Sequence, residues 1–104
     1  MRDYEITLIV QPDMEDEDRM ALIEQAQSWI TALDGEIAKV DHWGMRRLAY
    51  PIRRFREGYY VHLKAQMRGE NVRELERRLQ LSESVIRYLT VRVDDQVAQE
   101  PQND

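Results

Sequence analysis

Five arginines lie between Arg46 and Arg56, and no acidic residue separates them. Two aromatic residues, Tyr50 and Phe55, stand within the same stretch. A guanidinium group is a planar fork of N–H donors that pairs with phosphate and stacks on aromatic rings and bases. This stretch therefore predicts recognition of a nucleic acid or ion pairing with a protein, and neither task makes or breaks a covalent bond.

Residue types that perform catalysis or hold metals are sparse in this chain. It has no cysteine, which excludes a thiolate nucleophile, a thiolate zinc site and a disulfide. His42 and His62 are its only histidines, and their separation matches no metal-binding motif. The sequence also lacks a glycine-rich phosphate loop and a recognisable serine nucleophile motif. We therefore expect no enzyme, no cofactor or metal, and no small-molecule substrate.

Charge is distributed unevenly along the chain. Residues 1–38 contain two basic and ten acidic residues, and residues 39–93 contain thirteen basic and six acidic residues. Residues 94–104 contain four acidic residues and no basic one, so the net charge of −5 hides a basic central zone. Phosphate binding depends on local Lys and Arg, so this zone predicts a contact surface for nucleic acid. A cluster of merely solvated charges would give the same pattern.

Apolar spacing in the first third of the chain predicts a strand followed by a helix. Apolar residues alternate with polar ones from Tyr4 to Val10, as in a half-buried strand. The acidic run from Asp13 to Asp18 lacks the ligand spacing of a calcium loop and suits the positive end of a helix dipole. We expect this helix to end at Gly35 in a left-handed cap. Its apolar positions are Met20, Ile23, Ala26, Trp29, Ile30 and Leu33.

Two further strand-like runs follow, from Glu36 toward Ile52 and from Tyr59 to Met67, joined by a predicted hairpin loop over residues 53–58. Gly44 and Pro51 interrupt the first run, which places it at a sheet edge because proline cannot donate a ladder hydrogen bond.

The last described pattern is a second helix over residues 70–81 and a strand over residues 85–93. The helix has Val72, Leu75 and Leu79 on one face. The strand has apolar residues on both parities, which indicates either a covered outer face or a local bulge. Residues 94–104 lack apolar periodicity, and we expect them to form an acidic, disordered tail.

The element order is strand, helix, strand, strand, helix, strand, which is the α+β, ferredoxin-like βαββαβ plan. It predicts one domain over residues 1–93, with a four-stranded antiparallel sheet and both helices on one face. No apolar run approaches the ~18 residues of a membrane span, and the N-terminus lacks a signal peptide pattern, so we expect a cytoplasmic protein.

Alternation within this sheet predicts which residues face away from the helices. If Ile6, Leu8 and Val10 face the helices, Glu5, Thr7 and Ile9 face outward. In the third strand the apolar set is Val61, Leu63, Ala65 and Met67. Tyr60, His62 and Lys64 then face outward, and this aromatic and basic set suits stacking on bases and pairing with phosphate. The alternative is that Tyr60 packs across strands and His62 is merely exposed. The residues 57–62 match the RNA recognition motif only weakly, because the expected basic, small and second aromatic residues are missing.

One long motif, Trp43-Gly44-Met45-Arg46-Arg47-Leu48-Ala49-Tyr50-Pro51-Ile52, carries a resemblance to a known family. The start of the chain (residues 1–5), Gly58-Tyr59-Tyr60-Val61 and Val85-Ile86-Arg87 support it. Over about residues 1–93, the sequence closely resembles the family of the sixth protein of the bacterial small ribosomal subunit.

This resemblance implies a ferredoxin-like structural protein that has no enzymatic activity and is associated with ribosomes. It implies binding to the central domain of 16S ribosomal RNA, with the eighteenth small-subunit protein as a heterodimer partner. By position, Arg2, Arg87 and Arg92 look like the residues that contact RNA, with a weaker implication for Arg53, Arg54 and Arg56 because that loop varies within the family. We add His62 and Lys64 to the RNA-binding candidates and interpret Arg46, Arg47, Tyr50 and Tyr60 as partner-binding candidates.

Two other functions fit the residues alone. A stand-alone binder of single-stranded nucleic acid would use the open sheet face without a protein partner. A ferredoxin-like regulatory or enzyme-like domain would bind a metabolite, and it would need a pocket with converging polar groups.

Overall fold

A computed structural model describes residues 1–93 of the chain, and the predicted acidic tail at 94–104 lies outside these described residues. The elements follow the predicted order. They are β1 (Arg2–Val10), α1 (Asp16–Ala32), β2 (Glu36–Ile52), β3 (Phe55–Met67), α2 (Gly69–Leu81) and β4 (Val85–Arg92).

The four strands form one antiparallel sheet in the order β2-β3-β1-β4. This arrangement confirms the predicted ferredoxin-like plan, and it confirms that the strand with Gly44 and Pro51 lies at an edge. Gly44 has a φ of 87° and follows a register shift between His42 and Gly44. A residue with a side chain rarely adopts this backbone conformation, so glycine permits the bulge at this position.

Both helices cover one face of the sheet and enclose the main hydrophobic core. The predicted alternation is confirmed, because Ile6, Leu8 and Leu63 on this face are each at most 1 % exposed. Burial of each such side chain contributes about 1.5–3 kcal/mol. Helix residues that complete this core are Ile23, Ala26 and Ile30 from α1 and Leu75 and Leu79 from α2.

The end of α1 differs from the prediction. The left-handed residue is Asp34, with a φ of 64°, and not Gly35. Aspartate tolerates this conformation better than most residues. A Cβ at Gly35 would lie 2.7 Å from Ile30 Cγ2 and 2.9 Å from the carbonyl oxygen of Gln66, so glycine is required here by close contact with β3.

The buried face of α1 also differs at its first turn. Met20 was a predicted core residue and is 38 % exposed, whereas Arg19 is only 6 % exposed. Arg19 donates to the carbonyl oxygen of Met14 at 3.1 Å, and its guanidinium lies 4.6 Å from the centroid of the Tyr59 ring. A buried guanidinium with these partners joins the β1–α1 connection to β3, and apolar periodicity gives no signal for it.

The predicted six-residue hairpin loop is wrong. Only Arg53 and Arg54 form the turn, and Phe55 already belongs to β3. Arg53 has a φ of 57°, which is left-handed backbone. Phe55 and Ile52 pack against a second cluster of buried residues, so the strands continue to the turn and bury apolar side chains there.

A bulge resolves the ambiguous parity of β4. Ile9 pairs with Arg87 and Val10 pairs with Val85, so Ile86 is an extra residue on β4. Val85 is buried with Leu22 of α1, whereas Ile86 is buried with Ile9 on the other side of the sheet. Apolar residues on both parities therefore reflect a bulge together with a covered patch on the outer face.

Candidate nucleic-acid and protein interface

The face of the sheet opposite the helices carries most of the candidate residues. Thr7 pairs with His62 and Ile9 pairs with Tyr60 across β1 and β3, and directly paired residues project to the same face. Since their sequence neighbours Leu8 and Val61 are buried in the helix-side core, these pairs face outward. The predicted outward set of Glu5, Thr7, Ile9, Tyr60, His62 and Lys64 is thus confirmed.

His62 is held in place on this outer face and is not merely exposed. Its side chain is 12 % exposed, and its Nε2 lies 3.3 Å from Oε1 of Glu5. Its Nδ1 lies 3.1 Å from the hydroxyl oxygen of Thr7. The Trp43 ring stacks on the imidazole at a centroid distance of 5.0 Å. With both nitrogens and one ring face engaged, His62 presents little surface to a ligand and instead supports Trp43.

Trp43 is a candidate contact residue that the sequence reasoning did not single out. It is the extra residue of the β2 bulge before Gly44, and it is 43 % exposed. The Arg46 guanidinium lies 5.5 Å from the centroid of the Trp43 ring. The signal was present in the sequence as a tryptophan directly before a glycine within an edge strand, where a bulge changes the face of one side chain.

A larger bulge shapes the other end of β2. Arg47 pairs with Glu57 and Ile52 pairs with Phe55, so four residues from Leu48 to Pro51 lie opposite Arg56 alone. The extra chain folds over the outer face of the sheet. Leu48 is buried against Ile9 and Ile86, and Tyr60 packs on the same cluster. Cross-strand packing, the alternative weighed for Tyr60, is therefore the observed arrangement.

The large bulge, defined here as residues 48–51, also borders a groove of about 250 Å³ on the outer face. Arg87 Nη1 donates to the hydroxyl oxygen of Tyr50 at 2.6 Å beside this groove. Leu89 is 59 % exposed and lines the groove as well. Two partner-binding candidates, Tyr50 and Tyr60, thus share one surface with the RNA-binding candidate Arg87. The groove is lined by Thr7, Ile9, Leu48, Ala49, Tyr50, Ile52, Tyr60, Arg87, Tyr88 and Leu89.

The arginines between Arg46 and Arg56 lie in different surroundings. Arg53 donates to the carbonyl oxygen of Glu83 at 2.8 Å, which fastens the hairpin turn to the connection before β4. The Arg54 guanidinium lies 5.1 Å from the centroid of the Phe55 ring. Arg47 and Arg56 are exposed on the two strands. These side chains line the hairpin tip, and Arg56 lies on β3 and not in the hairpin loop over residues 53–58 that was predicted.

Arg2, Arg87 and Arg92 do not converge on one point. Arg92 pairs with Tyr4 and Arg87 pairs with Ile9, so the two arginines lie five residues apart along β1. A strand rises by about 3.4 Å per residue, which separates them by roughly 17 Å. Arg2 pairs with Met67, a residue of the helix-side core, and shares that face with Arg92. A ligand that contacts all three must extend from the outer face around the end of the sheet.

Lys64 lies in a neighbourhood of mixed charge. It is exposed, and it pairs in register with Glu5 on one side and Lys39 on the other. Lys39 in turn lies 3.7 Å from a carboxylate oxygen of Asp41. Carboxylates of Glu5 and Asp41 offset the positive charge on this part of the sheet, so its potential is weaker than at the arginine-rich hairpin tip.

The clearest electrostatic perturbation lies away from the outer face, on α2. Arg77 and Arg78 donate to the carboxylate of Glu74 at 2.8–2.9 Å, and these hydrogen bonds lower the pKa of Glu74 from 4.5 to about 2.

Within residues 1–93, no group of three or more His, Cys, Asp or Glu side chains is placed to hold a metal ion. No helix in this part of the chain is both long and apolar enough to span a membrane.

Comparisons with known proteins agree over nearly the whole chain. A family model described as ribosomal protein S6 matches residues 3–92. The chain is 40 % identical over 98 residues to small ribosomal subunit protein bS6 of Moorella thermoacetica, covering 94 % of this chain and 100 % of that protein. The bS6 protein of Caldanaerobacter subterraneus is 43 % identical over 95 residues, covering 91 % and 100 %. The crystal structure of 30S ribosomal protein S6 from Thermotoga maritima matches with a TM-score of 0.88 at 34 % identity, over 98 % of this chain and 96 % of that one.

Proposed function

The chain belongs to the ribosomal protein S6 family, and from this premise we propose that it binds the central domain of 16S ribosomal RNA together with the eighteenth small-subunit protein. Membership makes it a structural component of the small ribosomal subunit, associated with ribosomes in the cytoplasm. The family is one of structural proteins and not of enzymes, which confirms the prediction that no catalysis is involved.

The groove beside the large bulge is the observation that supports a protein partner most directly. It has a volume of about 250 Å³, and its lining includes the apolar side chains of Ile9, Leu48 and Leu89. An exposed apolar concavity with a charged rim is typical of a protein interface, where apolar anchors are surrounded by polar contacts. Tyr50 and Tyr60 lie in this groove and are proposed to contact the partner. Arg46 and Arg47, on the adjacent part of β2, are proposed to form ion pairs at its edge.

The proposed RNA contacts form two groups around this protein interface. Arg87 and the hairpin arginines Arg53, Arg54 and Arg56 lie near the groove. Arg2 and Arg92 lie at the other end of the sheet. Guanidinium groups position phosphates without reading sequence, so the spacing of these two groups would set the orientation of the protein on folded RNA. His62 and Lys64 are proposed as secondary contacts, because His62 is largely covered and Lys64 lies in a neighbourhood of mixed charge beside Glu5.

The proposal is tested by measuring binding of the full chain to a central-domain fragment of 16S ribosomal RNA, with and without the eighteenth small-subunit protein from the same organism. We expect specific binding only with both proteins present. Each arginine that neutralises a phosphate should contribute roughly 0.7–0.9 to the log–log slope of affinity against salt concentration. Arg87→Ala and Arg92→Ala should each flatten the slope by about that amount.

Arg73→Ala provides a matched control, because Arg73 is an exposed arginine on α2 that is not among the proposed contacts. It removes the same charge and should leave the slope unchanged. Binding to short unstructured RNA that is equally tight without the partner would instead favour the stand-alone binder. Failure of the wild-type pair to bind the central-domain fragment would refute the proposed function.

A further inference from the structure

We infer that Tyr50 is a positioning residue for Arg87, and that this contact couples docking of the protein partner to binding of RNA. The inference rests on the proposed function, because it assumes a partner on the groove and a phosphate at Arg87. It assigns to the large bulge of residues 48–51 a task beyond covering the sheet: the bulge connects the two binding surfaces.

The contact between the two side chains uses both polar and aromatic parts of Tyr50. Arg87 Nη1 donates to the tyrosine hydroxyl oxygen at 2.6 Å. The centre of the guanidinium lies 6.0 Å from the centroid of the same ring. Arginine has a long and flexible side chain, and a hydrogen bond together with a ring contact restricts the directions that its remaining N–H donors can take. Tyr50 therefore selects the orientation in which Arg87 meets a phosphate.

The Tyr50–Arg87 contact joins two strands that are not neighbours in the sheet. Tyr50 belongs to β2 and Arg87 to β4, which are the two opposite edges of the sheet, with β3 and β1 between them. Neighbouring strands lie about 4.8 Å apart, so the edges are separated by roughly 14 Å. Tyr50 reaches Arg87 only because four bulge residues lie opposite the single residue Arg56 and fold across the outer face.

Two neighbours of Tyr50 fix the bulge in this position. Leu48 is 9 % exposed and is buried against Ile9 of β1 and Ile86 of β4, which anchors the bulge over the middle of the sheet. Pro51 follows Tyr50 and restricts the backbone of Tyr50 to extended conformations. Ile86 is itself the extra residue of the β4 bulge. The bulges of β2 and β4 therefore both contribute to the packing of Leu48 against Ile86.

The exposure of Tyr50 explains how a partner would use this contact. Tyr50 is 58 % exposed and lines the groove proposed for the partner, while its hydroxyl is already bonded to Arg87. A partner side chain packed on the Tyr50 ring immobilises it, and the guanidinium becomes ordered at the same time. RNA then binds a preordered arginine, so each ligand raises the affinity for the other by the same factor.

A double-mutant cycle tests the inference on the full chain with the eighteenth small-subunit protein and the central-domain RNA fragment. Tyr50→Phe keeps the ring and removes the hydroxyl, and we expect it to weaken RNA binding by the protein pair about fivefold. We expect the affinity of the pair without RNA to change less than twofold. In the Arg87→Ala background, the same Tyr50→Phe change should have no effect on RNA binding.

Tyr88→Phe is the matched control. Tyr88 is a half-buried tyrosine next to Arg87 that is not among the proposed contacts, and its hydroxyl makes no side-chain hydrogen bond within residues 1–93, so this variant should keep wild-type coupling. Chemical unfolding of every variant should match the wild-type midpoint, because the Tyr50–Arg87 contact lies at the surface.

Unchanged RNA affinity in Tyr50→Phe would overturn the inference, and so would an equal loss with and without Arg87, which would mean that Tyr50 contacts RNA directly. Both results leave the proposed function intact. Loss of RNA binding by the unmodified pair would instead refute the proposed function and this inference with it.

Discussion

The two faces of the sheet are closed in different ways. On the helix side, Ile6, Leu8 and Leu63 are fully covered by side chains from α1 and α2, which are separate elements. On the outer side, Ile9 and Ile86 are covered by a bulge of the sheet's own edge strand. On the helix side, β1 and β3 leave no large apolar side chain exposed, whereas the outer side exposes Tyr50 and Leu89 beside a groove.

This difference separates stability from recognition within one sheet. A core closed by two helices is continuous and gains most of the apolar burial, so it determines whether the chain folds. A cover made from four bulge residues closes only part of the opposite face and leaves the groove open. Substitutions on the outer face should therefore lower the free energy of unfolding less than substitutions in the helix-side core. Residues of the outer face can serve binding for this reason.

Leu63→Ala should give the largest effect, because it opens a cavity in the helix-side core. Leu63 is 1 % exposed, and Leu→Ala changes at such sites cost about 2–5 kcal/mol. We expect the free energy of unfolding, measured by urea titration, to fall by roughly 3–4 kcal/mol. Leu81→Ala is the control, since Leu81 is 67 % exposed and its truncation should have little effect. Equal losses for the two variants would contradict the helix-side core as the main source of stability.

Leu48→Ala should cost less, at the lower limit of the same range, about 2 kcal/mol. Leu48 is buried in a small cluster at 9 % exposure, and the bulge that carries it can move toward the sheet when the side chain is shortened. The same variant should weaken partner binding, because the bulge also presents Tyr50. A loss of stability as large as for Leu63→Ala, with partner affinity unchanged, would show that the two faces do not differ as described.

Gly44→Ala isolates the backbone cost of the bulge that presents Trp43. The φ of Gly44 is 87°, and a Cβ there would meet nothing within 4 Å, so steric contact contributes nothing. We expect a loss of about 1 kcal/mol in urea unfolding, from left-handed backbone strain alone. Gly44→Asn should lose less, because asparagine tolerates this conformation better. A larger loss for the asparagine variant would exclude backbone strain as the cause.

The contrast between the faces also explains which parts of the fold could be predicted. Period-2 alternation in β1 and β3 identified Ile6, Leu8 and Leu63, since one face of these strands is uniformly apolar. Helix ends were less predictable: Asp34 and not Gly35 is left-handed, and the glycine is instead required by its close contact with β3. Met20 was misplaced because Arg19, a charged residue with backbone partners, occupies the buried position.

The candidate site was predicted in composition more than in arrangement. Gly44 and Pro51 predicted the edge strand correctly, whereas the roles of Arg46 and Tyr50 in partner binding stay predictions. Two bulges then determined which side chains meet, and a bulge shifts the face of every following residue without a reliable signal in the sequence. The Trp43–His62 stack and the Tyr50–Arg87 contact therefore became apparent only from the register of the strands.

Glu74→Gln should have the smallest effect on stability of these variants. It tests the solvent-exposed side of the helices, where charge and not apolar burial would contribute. Arg77 and Arg78 hold the pKa of Glu74 at about 2, below its usual 4.5. A carboxylate whose pKa is lower in the folded state contributes stability above pH 4.5, and this contribution is lost as the pH falls toward 2. The variant should therefore have a slightly lower urea midpoint than wild type at pH 7, with the difference disappearing at about pH 2.

Glu76→Gln on the same helix is the control, because no arginine donates a hydrogen bond to Glu76 within residues 1–93. The Glu74 effect should also shrink as salt is added, since exposed ion pairs are screened. A loss that does not depend on pH would mean that the ionised carboxylate is not its cause, whereas a loss that equals that of Leu48→Ala would mean that surface charge rivals apolar burial in stabilising this side of the sheet. Burial could then no longer explain why the helix-covered face determines folding while the bulge-covered face remains available for binding.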